Sequence, residues 1–207
     1  MTIRVLLADD ENLIREALAQ MLALEDDLEI VAQAASGDEA LAVALKVRPD
    51  VAVLDLQMPG RHGEGLDGIG VAEEIAARLD GCGCIIVTSH GRPGHLKRAL
   101  AVGVRGFLPK TTSAAILAEV VRKVHDGGRH VDPELAAEAI GAGDSPLTPR
   151  EADVLELAVD GAPVDEIARR ASLSPGTVRN YLSSAVSKLG AANRHDACAT
   201  ARRMGWI

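Results

Sequence analysis

Two runs in this chain, Val5-Leu6-Leu7-Ala8 and Val51-Ala52-Val53-Leu54, are apolar at every position. Each is followed at once by acid: Asp9-Asp10 after the first, Asp55 after the second. A strand with one wet face alternates apolar and polar residues, whereas a continuously apolar strand is buried on both faces, as in a parallel sheet. Parallel neighbours need crossover connections long enough to hold a helix, and the intervening sequence supplies them. β-rich runs at residues 3–8, 29–34, 51–54, 85–88 and 106–108 alternate with helical stretches at 13–24, 38–46, 69–79, 95–102 and 114–125. In the first stretch Leu13, Ala17, Leu18, Met21 and Leu22 recur at helical spacing. Ser36 followed by Glu39 reads as a capping box opening the second. The pattern predicts an α/β domain, a (βα)5 doubly wound parallel sheet with right-handed crossovers and helices on both faces.

The strand signal stops near residue 126. A short helical segment at 133–140 leads into Gly141-Ala142-Gly143-Asp144-Ser145-Pro146, which reads as a linker. Beyond it, Thr148-Pro149-Arg150-Glu151 combines an N-cap, a proline at the first helical position and a glutamate at the third. That helix runs to about residue 160 and Gly161 ends it; further helices span about 164–171, then 175–189 after a Ser174 cap, then from an Asn193 cap to Gly205. The predicted organisation is residues 1–126, a linker with a short helix at 127–146, and a small all-α domain at 147–207.

Ligands and reactive groups of open α/β sheets gather beyond the carboxyl ends of the strands. Here those ends carry Asp9 and Asp10, Asp55, Thr88 and, after the fifth strand, Lys110. Three converging carboxylates repel one another unless a cation sits among them, and such hard oxygen donors suit Mg2+. A lysine and a threonine hydroxyl beside that ion make a cradle for phosphate. Any one of these residues alone reads more simply as a cap, a turn or a solvated side chain; it is their convergence that indicates a site. His62, His90 and His95 fall near the same end and read as surface or cap residues.

The segments ADDEN, LDLQMPG, VTSH and GFLPK resemble, in order and spacing, the four signatures of the response-regulator receiver domain. That resemblance implies Asp55 as phosphoacceptor, with Asp9, Asp10, Asp55 and the backbone carbonyl of Gln57 holding Mg2+. It implies that Thr88 and Lys110 contact the phosphoryl oxygens, and that Phe107 occupies the aromatic switch position, rotating into space that Thr88 vacates. Two departures from the family pattern stand out. Arg61-His62-Gly63-Glu64-Gly65 is extra, either a tolerated surface insertion or a modulator of access to Asp55. Pro109 precedes Lys110, which is acceptable in a strand at a sheet edge.

In the C-terminal part, residues 166–171 and 175–189 are two helices joined by Ser172-Leu173-Ser174, a helix-turn-helix. The second helix of such a pair enters the major groove. Val178, Leu182, Ala185, Val186 and Leu189 form its apolar stripe. The other side carries Thr177, Arg179, Asn180, Ser183, Ser184, Ser187 and Lys188. Arg179 and Asn180 suit bidentate contacts to guanine and adenine; the hydroxyls and Lys188 suit phosphates, and the helix N-terminus at Ser174 offers backbone N–H groups. The run from Leu147-Thr148-Pro149-Arg150-Glu151 through Thr177-Val178-Arg179 and Tyr181 to Lys188-Leu189 resembles the LuxR-type DNA-binding domain. Tyr181 joins the candidate DNA-binding residues on that likeness. The whole chain is thus similar to the NarL/FixJ response regulators, which implies a sensor histidine kinase, promoter DNA and a second copy of the chain as partners. The last helix places Ala197, Ala201 and Met204 on one face, for dimerisation or for packing on its own domain.

The charge distribution fits two jobs. Residues 1–144 hold 14 basic and 23 acidic side chains, whereas residues 145–207 hold 8 and 7. The overall −8 therefore lies in the first part, and the helical domain, at about +1, predicts modest non-specific affinity for DNA. No run of about 18 apolar residues marks a membrane span, and no secretory signal opens the chain, so a cytoplasmic protein is expected. Cys82, Cys84 and Cys198 lack disulfide or metal spacing and read as free thiols. Two other functions compete: an orphan regulator whose receiver is never phosphorylated, and an aspartyl-phosphate phosphatase, which also uses paired acids, Thr and Lys. The reading adopted is a regulator rather than an enzyme.

Overall fold

A computed structural model describes residues 2–58, 66–89, 91–141 and 145–207. The insertion at 61–65, His62 and His90 lie outside the described residues. The chain divides into two compact units, one on residues 1–91 and 98–132, the other on 133–207 with 92–97.

Up to residue 132 the chain alternates strand and helix: β1 (Ile3–Ala8), α1 (Asn12–Leu22), β2 (Leu28–Ala34), α2 (Gly37–Val47), β3 (Val51–Asp55), α3 (Gly68–Arg78), β4 (Gly83–Thr88), α4 (Pro93–Ala101), whose first residues group with the second unit, β5 (Gly106–Pro109), α5 (Ala114–His125) and β6 (His130–Val131). The strands pair in parallel in the order β2-β1-β3-β4-β5-β6. The central strands β3 and β4 are buried at every residue, as their uninterrupted apolar runs require. One face, carrying Val5, Leu7, Val51, Val53, Ile85, Val87 and Leu108, packs with Ala19 and Leu22 of α1 and with Leu117, Val121 and Val124 of α5. Residues between these in sequence, such as Leu6, Ala52, Leu54 and Ile86, point the opposite way and are equally buried. Each fully buried Leu or Ile contributes about 1.5–3 kcal/mol, so both faces of the sheet resist exposure. Ser36 accepts from the Glu39 N–H, and Glu39 accepts in return from the Ala35 N–H, which fixes the start of α2.

Two expectations change. The sheet, among the described residues, has six strands, because His130 and Val131 pair with Gly106 and Phe107. Strand β5 is therefore not an edge over its first half. Pro109 is tolerated because it lies past the end of β6, paired on one side only, with Thr88 of β4. Asp55 is the last residue of β3, at the strand end where the sequence places it.

The second unit contains α6 (Pro133–Gly141), α7 (Pro149–Leu157), α8 (Val164–Arg170), α9 (Pro175–Lys188) and α10 (Arg194–Arg203). The predicted caps form: Thr148 and Glu151 make a reciprocal capping box, and Ser174 and Asn193 accept from the N–H groups of Thr177 and Asp196. Gly161 and Gly205 take left-handed backbone just past α7 and α10, where glycine carries no Cβ penalty. Leu155, Ile167, Val178, Ala185, Ala197 and Ala201 form the centre of this unit's core. Ala197 and Ala201 thus pack on their own domain, while Met204 is 41% exposed.

Candidate functional site

Strand β1 delivers Asp9, β3 delivers Asp55, and β4 delivers Thr88; all three are buried. Asp10, one residue further on, is exposed. Ligand oxygens of Asp9, Asp10 and Asp55 all lie within 4.8 Å of one another. Lys110, immediately after β5, reaches into this group, with Nζ 2.9 Å from Asp9 Oδ2 and 3.0 Å from Asp55 Oδ2. Its backbone N–H donates to the Thr88 carbonyl at 2.8 Å, so β4 and β5 are tied together at the site. The Gln57 N–H donates to Asp55 Oδ1 at 3.3 Å, and this turn keeps the Gln57 backbone beside the carboxylate.

The electrostatics follow from crowding. Burial pushes the Asp55 carboxyl up to about 6, against the pull of Lys110. Burial and the neighbouring Asp9 also raise Asp10. Lys110 is held above the usual lysine range by Asp9, Glu11 and Asp55, although its partial burial works the other way. Burial is the larger cause for both carboxyls, and the charge of Asp9 adds to each. A hard divalent cation is what such a donor set accommodates, since it takes carboxylate oxygens and keeps coordination positions for water and phosphate. The residues present therefore fit Mg2+.

The expected set of Asp9, Asp10, Asp55, Gln57, Thr88 and Lys110 is thus brought to one end of the sheet. Phe107 is fully enclosed, opposite Ile86 in the β4–β5 pair. His95, read from the sequence as a surface or cap residue, is buried instead. Glu11 is a partner that sequence reasoning missed: its Oε1 lies 3.0 Å from Lys110 Nζ. Nothing in its position marks it, because residue 11 and residue 110 meet only through the order of strands. Asp67 is a second such residue, capping α3 through the Gly70 N–H and accepting both terminal nitrogens of Arg98.

In the helical unit, α9 exposes Arg179, Asn180 and Ser183. Thr177 is half-buried, its hydroxyl 2.8 Å from that of the Ser174 cap. Tyr181 is half-buried and packs against the helical core with Val186 and Leu189. Ser184 and Lys188 are engaged elsewhere: both donate to Glu151 of α7, at 2.6 and 2.7 Å. Burial would raise the Glu151 carboxyl, but the hydrogen bonds from Lys188, Ser184 and the Thr148 backbone hold it at about 2. The sequence marked Glu151 as a capping residue; its hold on α9, 33 and 37 residues away, came from the packing. All three cysteines are free thiols, with Cys84 and Cys198 buried. Among the described residues, no helix is long and apolar enough to cross a membrane.

Comparison with known proteins agrees with both units. The response regulator receiver domain matches residues 5–122, and the luxR family of bacterial regulatory proteins matches residues 145–201. The transcriptional regulatory protein DesR of Bacillus subtilis is 39% identical over 205 residues, spanning 99% of each chain. UhpA of Escherichia coli, also a transcriptional regulatory protein, is 36% identical over 206 residues, covering 99% of this chain and 100% of its own. The crystal structure of the response regulator ChrA, from a heme-sensing two-component system, superposes with a TM-score of 0.57 at 30% identity, covering 100% of this chain and 99% of that one. A receiver sheet carrying an acid cluster and a capped helix-turn-helix, each matched in its own right and together along the full length of these relatives, make this chain a member of the NarL/FixJ family of response regulators.

Proposed function

We propose that this DNA-binding response regulator accepts a phosphoryl group on Asp55 from a sensor histidine kinase, and that the modified receiver promotes dimerisation and binding of α9 to promoter DNA in the cytoplasm. The observation that carries the reading is the junction of Asp9, Asp10 and Asp55 within 4.8 Å, with Lys110 Nζ against two of them. Asp9, Asp10, Asp55 and the Gln57 carbonyl would hold Mg2+, which neutralises charge on the transferring phosphoryl group. A carboxylate oxygen of Asp55 attacks phosphorus while the bond from phosphorus to the donor breaks, and the donor leaves with that electron pair. Lys110 then gives its Asp55 hydrogen bond to a phosphoryl oxygen, and the Thr88 hydroxyl donates to another.

The new group adds about two negative charges and three acceptors, and so favours whichever packing of β4 and β5 supplies donors. Phe107 is fully enclosed between the strands and the helices that cover them. A switch at this ring would repack it against its β4 neighbour Ile86 and the space beside Thr88. On DNA, Arg179 and Asn180 are the base-reading candidates, with Ser183 beside them and Thr177 and the α9 N-terminus at Ser174 near the phosphates. Tyr181 supports the helix from its packed side.

Incubation with Mg2+ and acetyl phosphate, followed by intact-mass measurement, tests the reading. A single phosphoryl adduct, absent in Asp55→Ala, is expected. An adduct that persists in Asp55→Ala, or no adduct at all, overturns it. Rapid turnover of acetyl phosphate, in place of a lasting adduct, identifies a phosphatase instead.

A further inference from the structure

The lysine at the phosphoryl site has a third anion beside it. An ammonium group carries three N–H donors and accepts nothing. Around Lys110 Nζ stand three carboxylate oxygens: Asp9 Oδ2 at 2.9 Å, Glu11 Oε1 at 3.0 Å and Asp55 Oδ2 at 3.0 Å. These three oxygens match its three donors. Asp9 and Asp55 belong to the proposed Mg2+ site, whereas Glu11 does not, and its side chain is 56% exposed against 4% and 5% for the other two. Glu11 therefore has no duty at the ion and competes for the lysine alone.

Local structure points the same way. Glu11 occupies the N-cap of α1, a position where short side chains such as Ser, Thr, Asp and Asn accept from the backbone N–H groups of the first turn. It makes no such bond. Its backbone N–H donates to Asp9 Oδ1 at 2.8 Å, which anchors the residue beside the site, and its carboxylate is turned to Lys110. The ammonium thereby gains a third acceptor.

We propose that Glu11 is a positioning residue that retains Lys110 in the unmodified receiver and opposes an incoming phosphoryl group, both by holding the ammonium and by its own negative charge. A phosphoryl oxygen bound by Lys110 Nζ lies close to Glu11 Oε1, because both sit at hydrogen-bond distance from one nitrogen. Like charges so placed repel, and solvent moderates the effect at an exposed side chain. Glu11 thus sets how readily this receiver takes and keeps its phosphoryl group.

This inference rests on Asp55 being the phosphoacceptor. The test is beryllofluoride, a phosphoryl mimic, titrated at saturating Mg2+ into the full chain and followed by calorimetry. Glu11→Gln keeps an acceptor for Lys110 but removes the charge, and Glu11→Ala removes both. Both variants should bind the mimic about two- to fivefold more tightly than the parent, the range an exposed ion pair spans. The gain should shrink as salt rises, since the charge is exposed. Glu11→Asp, which restores the charge, should return towards the parent value. An unchanged or weaker affinity in Glu11→Gln overturns the proposal while leaving Asp55 in place. Failure of the parent chain to bind the mimic overturns the Asp55 reading and this one with it.

Discussion

Glu151 joins three tasks in one side chain. It closes the capping box of α7, and it accepts from Ser184 and Lys188 of α9. Its carboxyl, ordinarily near 4.5, sits at about 2. A depressed acid stabilises the fold above its unfolded pKa, and that contribution disappears as pH falls through the folded value. Glu151→Gln should therefore destabilise the helical domain by about 1–3 kcal/mol at neutral pH, the half-exposed Lys188 lending the smaller, screened share. The gap from the parent should close between pH 4.5 and about 2. Urea unfolding followed at Trp206, the single tryptophan and part of this domain's packing, measures it; a gap that stays constant with pH would show that the charge is not what Glu151 contributes. Lys188 is neutralised by the same contact. A lysine that pairs with DNA phosphate changes the salt dependence of binding by about 0.9 in slope when removed. Lys188→Gln, which can still donate to Glu151, should leave that slope unchanged, and a drop near that size would return Lys188 to the DNA.

At the scale of elements, the start of α3 decides where Asp55 can be. A Cβ on Gly68 would lie 2.1 Å from the Asp55 carbonyl oxygen, and the Gly68 N–H donates to the Leu56 carbonyl at 3.1 Å. Helix and strand end are pressed together at backbone distance, which only glycine permits. Gly68→Ala should cost roughly 1–3 kcal/mol of receiver stability through overpacking and slow phosphorylation of Asp55 by displacing the end of β3. Thermal unfolding and acetyl-phosphate kinetics read the two effects; a variant with parental values in both would mean the junction yields freely. For α9, the relevant face is narrow. With Tyr181 packed on the core and Ser184 and Lys188 held by Glu151, Arg179, Asn180, Ser183 and Ser187 are its exposed polar side chains on that side. Arg179→Ala should reduce discrimination between operator and random DNA by about 1–3 kcal/mol. Equal loss on both DNAs in a competition assay would assign Arg179 to phosphate instead.

The whole molecule separates its chemistry by charge. The receiver is acidic and its Asp9, Asp10 and Asp55 cluster fits a divalent cation, while a nearly neutral helical domain has little long-range attraction for DNA. One helix-turn-helix on such a domain should bind weakly, and two copies acting together would supply the strength. Phosphorylation should raise apparent DNA affinity steeply with protein concentration, and sedimentation of the phosphorylated chain should show the dimer. Tighter DNA binding by a phosphorylated species that remains monomeric would move the switch from assembly to the receiver's hold on its own effector domain.

Much of this was legible in the residues. Uninterrupted apolar runs ending in Asp9 and Asp55, alternating with helical stretches, point to a parallel sheet and to the end of it that carries the site, because such strands are buried on both faces. Caps at Ser36, Thr148, Ser174 and Asn193 were equally local, since an N-cap bond spans only three residues. Tertiary structure alone decided the partners that meet across the fold. Glu11 reaches Lys110 over 99 residues, and Glu151 claims Lys188 over 37. It also covered β5 with the two-residue β6, too short to carry a pattern of its own. A side chain's type says what it can bind; which of several able neighbours it does bind depends on distances that only the packed chain sets.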